Sequence, residues 1–397
     1  MQKFNTVIIG GGGAGIAAAI SAKRRNQSVA ICDRMTGIGK KILASGNGRC
    51  NLLNERLDES FYNPPARSLV RSIFEKFGKE HILSFFKELG LEVYSEDGRI
   101  FPRTNQSSSV VKVLEMELAR LSVPIELNFE VKGISHSEGK FTITSRGGKS
   151  IECEKLIVAA GGKSYPALGS DGSCYKMAAN LGHKIVEPVP AAVPIVLKER
   201  LCHVLQGQKI TASVKAIINQ KTACESRGDL LFTNYGLSGT AILDVSEEIS
   251  VAINRQKISD VLVSVDMVPF MDRDALKLEI SRRIKNRWKA EDLLAGILPN
   301  KFHFAFEGKE IGHDAEKIAS AVKSRIFKVV ETKRWNEADF TAGGIDTKYV
   351  KPGTLESTVV KGLYFAGEIL DVCGKRGGYN LAWAWSSGFV AGQALYQ

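Results

Sequence analysis

Gly10, Gly12 and Gly15 stand at the spacing G-x-G-x-x-G, and Asp33 follows Gly15 by 18 residues. That set can cradle a dinucleotide. The first glycine permits a tight turn, the second lets the backbone approach a pyrophosphate, and the third lets a helix pack closely on the preceding strand. A carboxylate ~20 residues further on is placed to meet an adenosine ribose. Gly13 and Ala14 complete a helix start whose free N–H groups attract a phosphate.

A second set lies at the other end of the chain. Gly367 and Glu368 end an apolar run, Asp371 follows, and Gly377-Gly378-Tyr379-Asn380 opens a segment of small residues. Strand, glycine turn and helix N-terminus again suit an anion or a carbonyl. Two such turns fit one long ligand held from both ends, and a flavin dinucleotide has the length, with its pyrophosphate at the first turn and its ring at the last. Between them, residues 37–51 carry four glycines, with Lys40, Lys41 and Arg49 as cations for phosphate or flavin carbonyl oxygens. A flavin would bring the redox chemistry, and the protein would supply orientation and electrostatics. Asn380, with Arg376 or Lys375, could provide positive potential at the flavin N1–C2 edge. Tyr165 and Tyr379 lie in glycine-flanked loops, and each could donate a proton in a C=C reduction. The reading of each as pocket wall stands ahead of that role. No second G-x-G-x-x-G follows a strand. NAD(P)H is therefore expected as a transient reductant, or else reduced substrate delivers the electrons and oxygen reoxidises the flavin.

The elements that must position these residues follow from periodicity. Residues 7–9 and 28–32 read as buried strands around a helix at 14–25. Residues 74–89 have helical spacing with Gly90 as a stop, and 109–121 is a second amphipathic helix with serines for its cap. Residues 124–153 alternate like a small antiparallel unit, and 155–162 is another buried strand. Pro188, Pro190 and Pro194 mark a stiff crossing. Beyond it, 210–219, 229–233 and 258–268 read as strands, and 272–327 as short helices broken at Pro299 and near Gly308. A final strand at 363–365 and a closing helix at 380–395 complete the chain. The fold class is α/β: a dinucleotide domain from 1–190 and 341–397, with 191–340 inserted, β-rich over about 191–270 and helical over about 271–330.

Hydrophobic residues make up 44% and charged residues 24%, as in a globular protein. No apolar run approaches the ~18 residues of a membrane span. The first strand starts too early for a signal peptide, so a cytoplasmic location is expected. Seven cysteines without C-x-x-C argue against a disulfide framework or a zinc site. The histidines at 81, 136, 183, 203, 303 and 313 do not cluster, so no metal is expected. Cys50 reads as a small buried residue rather than a reactive thiol. A net charge of +11 suits anionic ligands, but the basic residues are scattered. A small-molecule substrate is expected, with no nucleic acid and no membrane. The alternatives are a flavoprotein acting on RNA and a non-catalytic flavin-binding redox protein.

Several motifs carry a resemblance. They are Ser45-Gly-Asn-Gly-Arg-Cys-Asn51, Ala160-Gly-Gly-Lys-Ser-Tyr-Pro166, Leu231-Phe-Thr-Asn-Tyr-Gly-Leu-Ser-Gly239, Thr341-Ala-Gly-Gly-Ile345 and Leu363-Tyr-Phe-Ala-Gly-Glu368 with the closing glycine turn. Together they resemble a bacterial family of NAD(P)/FAD-dependent oxidoreductases that includes aminoacetone oxidases and 3-dehydro-bile-acid reductases. The resemblance implies a glutathione-reductase-like FAD/NAD(P)-binding Rossmann domain split by a two-part insert. It implies adenosine and pyrophosphate contacts from the first turn, Asp33, Arg34, Gly39, Lys40 and Lys41, and a backbone contact from Val131 to the adenine. It implies further FAD contacts from Ser45, Gly46, Arg49, Cys50, Asn51, Ala160, Gly161 and Gly162. It places Gly367, Glu368, Asp371, Gly378, Tyr379 and Asn380 near the ribityl chain and flavin. The chain departs from that family's pattern at Ser173 and Cys174, where an acid and a glycine are usual. Asn234 stands for a histidine, Thr240 for a proline and Cys373 for an aspartate. Arg376 replaces a small or apolar residue, close enough to the flavin end to alter preference for substrate charge.

Overall fold

The computed structural model describes residues 2–305 and 314–395. Gly308 and His313 lie outside the described residues. The chain forms two compact units, one from residues 1–188 with 340–397 and the other from 189–339.

The first unit is built on a sheet around the strand Gln2–Ile9, whose Val7, Ile8 and Ile9 are buried. It pairs in parallel with Val29–Cys32 on one side and with Ser150–Val158 on the other. Residues 150–158 form one strand rather than the two segments that composition separates. Its first half makes an antiparallel pair with Lys140–Ser145, and its last three residues pair in parallel with Leu363–Phe365. One edge thus serves a hairpin and then the closing strand, which brings residues 363–368 beside the first turn.

The helix Gly13–Lys23 is apolar nearly all round, and Gly13 through Ala22 are buried. A helix of that kind needs partners on more than one face. One face meets the sheet, and the other meets the closing helix Tyr379–Ala394. A Cβ at Gly388 would lie 2.1 Å from the Ala14 carbonyl oxygen, and one at Gly392 would lie 2.3 Å from that of Ala18. The two helices therefore touch backbone to backbone along a stripe with four-residue spacing. Trp383 and Trp385 are fully buried, with indole N–H groups donating to the carbonyls of Gly367 and Leu52.

Three expectations are corrected. Within 74–89 the helix is Lys79–Glu88 alone: Phe74 ends a separate helix, Arg67–Phe74, and Gly78 is extended, its N–H donating to His81 Nδ1 at the start of the next. The helix Ser107–Arg120 has no serine cap, since the Ser107 hydroxyl donates to the Leu43 carbonyl. Within 272–327, the chain turns into the strand Arg325–Thr332 after the helices Arg273–Lys285 and Ala315–Lys323. Ile326 and Val330 face outward on that strand, which hides its alternation from a sequence reading.

The second unit is a closed barrel of six strands. The strands Lys209–Ile218 and Lys221–Thr233 form its long hairpin, and Arg325–Thr332 closes it against Ile195–Leu197. Phe232, Phe302 and Phe327 fill its core.

In the first unit, His183 is buried. Its Nδ1–H donates to the Ala178 carbonyl, and its Nε2 accepts from Ser357 Oγ at 2.7 Å. Ser357 Oγ itself accepts from the N–H groups of Val359 and Val360, so its one proton must point to the imidazole. The neutral ring is therefore required, and burial lowers its pKa from the ordinary 6.5. The unfolded chain takes up a proton near pH 6.5 that the folded chain refuses. Stability should be full above that pH and fall as pH drops below it. Thermal melts between pH 7.5 and 5 should show that slope, and His183→Asn should flatten it.

Candidate active site

The glycines of the first turn differ in what surrounds them. A Cβ would meet the Ala159 carbonyl oxygen at 2.4 Å from Gly10, Ile38 at 2.5 Å from Gly11, and the Gly10 carbonyl oxygen at 1.8 Å from Gly15. At Gly12 it would meet nothing within 4 Å. Gly12 has φ −85° and ψ −172°, which any residue can adopt, and it caps the helix Gly13–Lys23 without a side-chain bond. Neither the chain's packing nor its backbone requires glycine there. The open face over free helix N–H groups fits an anion approaching the backbone closely. Asp33 lies beside it, accepting from Gly11 N–H at 2.6 Å and Met35 N–H at 2.7 Å. The segment leading into Val131 runs alongside, with Phe129 N–H donating to the Asp33 carbonyl. Arg34 pairs with Glu130 and with Asp171, the acid that stands two residues before Ser173.

Glu368 ties four segments together. One carboxylate oxygen accepts from Lys41 Nζ at 2.6 Å and Gly162 N–H at 3.4 Å, the other from Thr341 N–H at 2.8 Å and Ser164 Oγ at 3.2 Å. Burial pushes its pKa up, but the Lys41 ammonium and these donors outweigh that and hold it below 4.5. Thr341 Oγ1 accepts from the N–H groups of Lys163 and Ser164. The side chains of Lys41 and Glu368 thus hold each other. Lys40 has no ion-pair or hydrogen-bond partner among the described residues, so it is the cation of that pair available to an anion.

The closing turn is pinned from below. Gly378 has φ +100°, and a Cβ there would lie 2.5 Å from the Leu53 carbonyl carbon and 2.8 Å from Asn51 Oδ1. Asn51 is buried, and its Oδ1 has no hydrogen-bond partner. A buried acceptor without a donor is costly, and a bound molecule with an N–H or hydroxyl would satisfy it. Asn380 braces the turn: its Oδ1 accepts from the Gly374 N–H and its amide donates one hydrogen to the Gly374 carbonyl. Asp371 is buried and bonded to Asn63. Tyr379 is buried, stacked on Phe61 at 4.5 Å between ring centres. Burial raises its hydroxyl pKa above 10, Asp58 adds to that, and Arg56 and Arg99 oppose it. It is a protonated donor at neutral pH. Tyr165 is half-buried at φ +52°, on the loop that carries Ser164.

Arg49 stands apart from a phosphate role. It pairs with Glu96, Tyr94 and Asn105, and its guanidinium lies 4.1 Å from the Phe101 ring centre. Cys50 and Cys174 are buried, and burial pushes both thiols up to about 12, so neither is a thiolate. Among the described residues no group of three or more His, Cys, Asp or Glu could hold a metal ion. No described helix is long and apolar enough to cross a membrane. Ser164, Thr341 and Asn54 were not singled out in the sequence, although the first two sit inside quoted motifs.

The HI0933-like protein Rossmann domain family matches residues 4–394. The chain belongs to that family. Among relatives of this HI0933-like chain, a 3-dehydro-bile acid delta(4,6)-reductase of Clostridium scindens is 37% identical, covering 98% of each chain. A ribosomal RNA dihydrouridine synthase of Escherichia coli is 29% identical, over 100% of this chain and 98% of its own. The fold is similar to that of a 3-ketosteroid-delta4-(5alpha)-dehydrogenase from Rhodococcus jostii RHA1, with a TM-score of 0.53 and 14% identity, covering 100% of this chain and 97% of the other. The HI0933-like chain is thus an oxidoreductase of the flavoprotein type with a nucleotide-binding Rossmann fold.

Proposed function

We propose that the chain binds FAD between the two glycine turns and reduces an activated C=C bond of a small organic molecule, with NAD(P)H as reductant. The observation that carries the reading is the open face at Gly12, where nothing within the protein explains a glycine. Bound flavin would supply the hydride chemistry. The helix N–H groups after Gly12 would hold the pyrophosphate, with Lys40 as counter-charge. The Asp33 carboxylate, fixed by Gly11 and Met35, keeps lone pairs for ribose hydroxyls. Asn51 Oδ1 would accept from the ring or ribityl end. Tyr379 would give the proton that accompanies hydride transfer, its pKa kept high by burial. The reductase relative at 37% identity supports C=C reduction.

A second reading is kept on one observation: the RNA-modifying relative matches over the whole chain. Anaerobic titration separates the two. The purified protein should take up FAD, bleach with NADH or NADPH, and regain colour with a small enone. Colour restored only by RNA would favour the second reading. A protein that takes up no FAD overturns both.

A further inference from the structure

We propose that Arg99 and Arg56, at the rim of the closing turn, receive an anionic group of the substrate, a carboxylate or a phosphate. The proposal rests on the FAD reading above, which puts the flavin ring at this turn.

The placement comes from a three-stranded sheet. Leu53–Asn54 pairs with Arg99–Pro102, with Asn54 directly opposite Arg99. The Asn54 amide donates to the Gly377 carbonyl at 3.0 Å, which fixes the turn against this sheet edge. A Cβ at Gly377 would lie 3.8 Å from Arg99 Nε. Arg56 and Arg99 are both close enough to Tyr379 to act on its hydroxyl. The neighbouring arginines all have partners: Arg49 holds Glu96, Arg67 donates to the Tyr62 carbonyl, and Arg71 holds Glu59. The guanidinium groups of Arg56 and Arg99 have neither a hydrogen bond nor an ion pair among the described residues. Both are exposed.

Of the nearby acids, Asp58 caps the Ser60 N–H, and Glu96, opposite Arg99 in the hairpin, is hydrogen-bonded to Arg49 while also feeling the Arg99 charge; Glu55 and Asp97 lie exposed in the loops of the sheet. Lys375 adds a third positive charge, its backbone N–H donating to the Phe61 carbonyl. Two guanidinium forks without a hydrogen bond or ion pair, beside the hydroxyl of Tyr379, form a place for a planar or tetrahedral anion. Holding it there would set a neighbouring carbon of the same molecule against the flavin.

The test uses the FAD-loaded protein and the perturbation of its visible flavin spectrum. Two pairs of probes are titrated, benzoate against benzamide and phenyl phosphate against phenol. At least one anion should bind about tenfold or more tightly than its neutral partner, with an affinity that falls as salt rises. Which anion does so identifies the group. Arg99→Gln and Arg56→Gln should each weaken that anion about tenfold while leaving the neutral probe and the FAD affinity unchanged. The proposal is overturned if both anions bind no better than their neutral partners, or if the double variant binds the anion as the unaltered protein does. A protein that remains colourless before any probe is added overturns the FAD reading itself, so the two failures are told apart.

Discussion

A Gly12→Val variant should fold normally and fail to take up FAD. A side chain at Gly12 meets no protein atom within 4 Å, and the backbone there is extended. A poorer N-cap is the one intrinsic cost, about 1 kcal/mol or less. The same side chain would stand where a pyrophosphate must approach the helix N–H groups. Losing two charge-assisted hydrogen bonds, at ~1.5–3 kcal/mol each, weakens binding by a hundredfold or more. Gly15→Ala is the contrast, because its Cβ would fall 1.8 Å from the Gly10 carbonyl oxygen and the turn itself must open. Apo-protein melts and an FAD fluorescence titration separate the two variants. A Gly12→Val protein that binds FAD with its original affinity would remove the pyrophosphate from this turn.

Lys41→Met should be among the most destabilising single changes in the first unit. It strips the ammonium from a largely buried Glu368 and leaves a charge with only N–H and O–H donors. Breaking such a pair costs about 3–5 kcal/mol. The lower end is expected here, since 28% of the Lys41 side chain and 19% of the Glu368 side chain remain exposed. Adding Glu368→Gln to Lys41→Met should restore part of the loss, because the amide oxygen still accepts one N–H and no buried charge remains. Urea melts of the unaltered protein, the two single variants and the double variant measure this, and additivity of the two single changes would count against the pair. The pH dependence has a fixed sign. The Glu368 carboxyl is held below 4.5 in the folded chain, so its contribution is complete above that pH and is lost as pH falls through the folded value.

The two glycine turns and the buried strands around them were legible in the sequence. Spacing of glycine and of apolar residues reflects local backbone needs. Gly10, Gly15 and Gly378 meet another backbone or adopt left-handed φ, and such demands mark the sequence at fixed offsets. The strand Arg325–Thr332 was missed because its outward Ile326 and Val330 blur the alternation. The split at Gly78 was missed because helical spacing continues across it.

Which charged groups face a ligand was beyond the sequence. Lys40 and Lys41 are adjacent and chemically alike, yet Lys41 is engaged by Glu368, 327 residues away, while Lys40 is left open. Asn380 stands at a helix start, yet its amide closes on Gly374. Arg56 and Arg99 lie in no motif, and pairing of Asn54 with Arg99 alone brings them to the closing turn. Backbone geometry is a property of neighbours along the chain, so the order of residues records it. A side chain's partner is settled by which distant segments the sheet and the packed helices bring within ~3 Å, and that only the folded molecule decides.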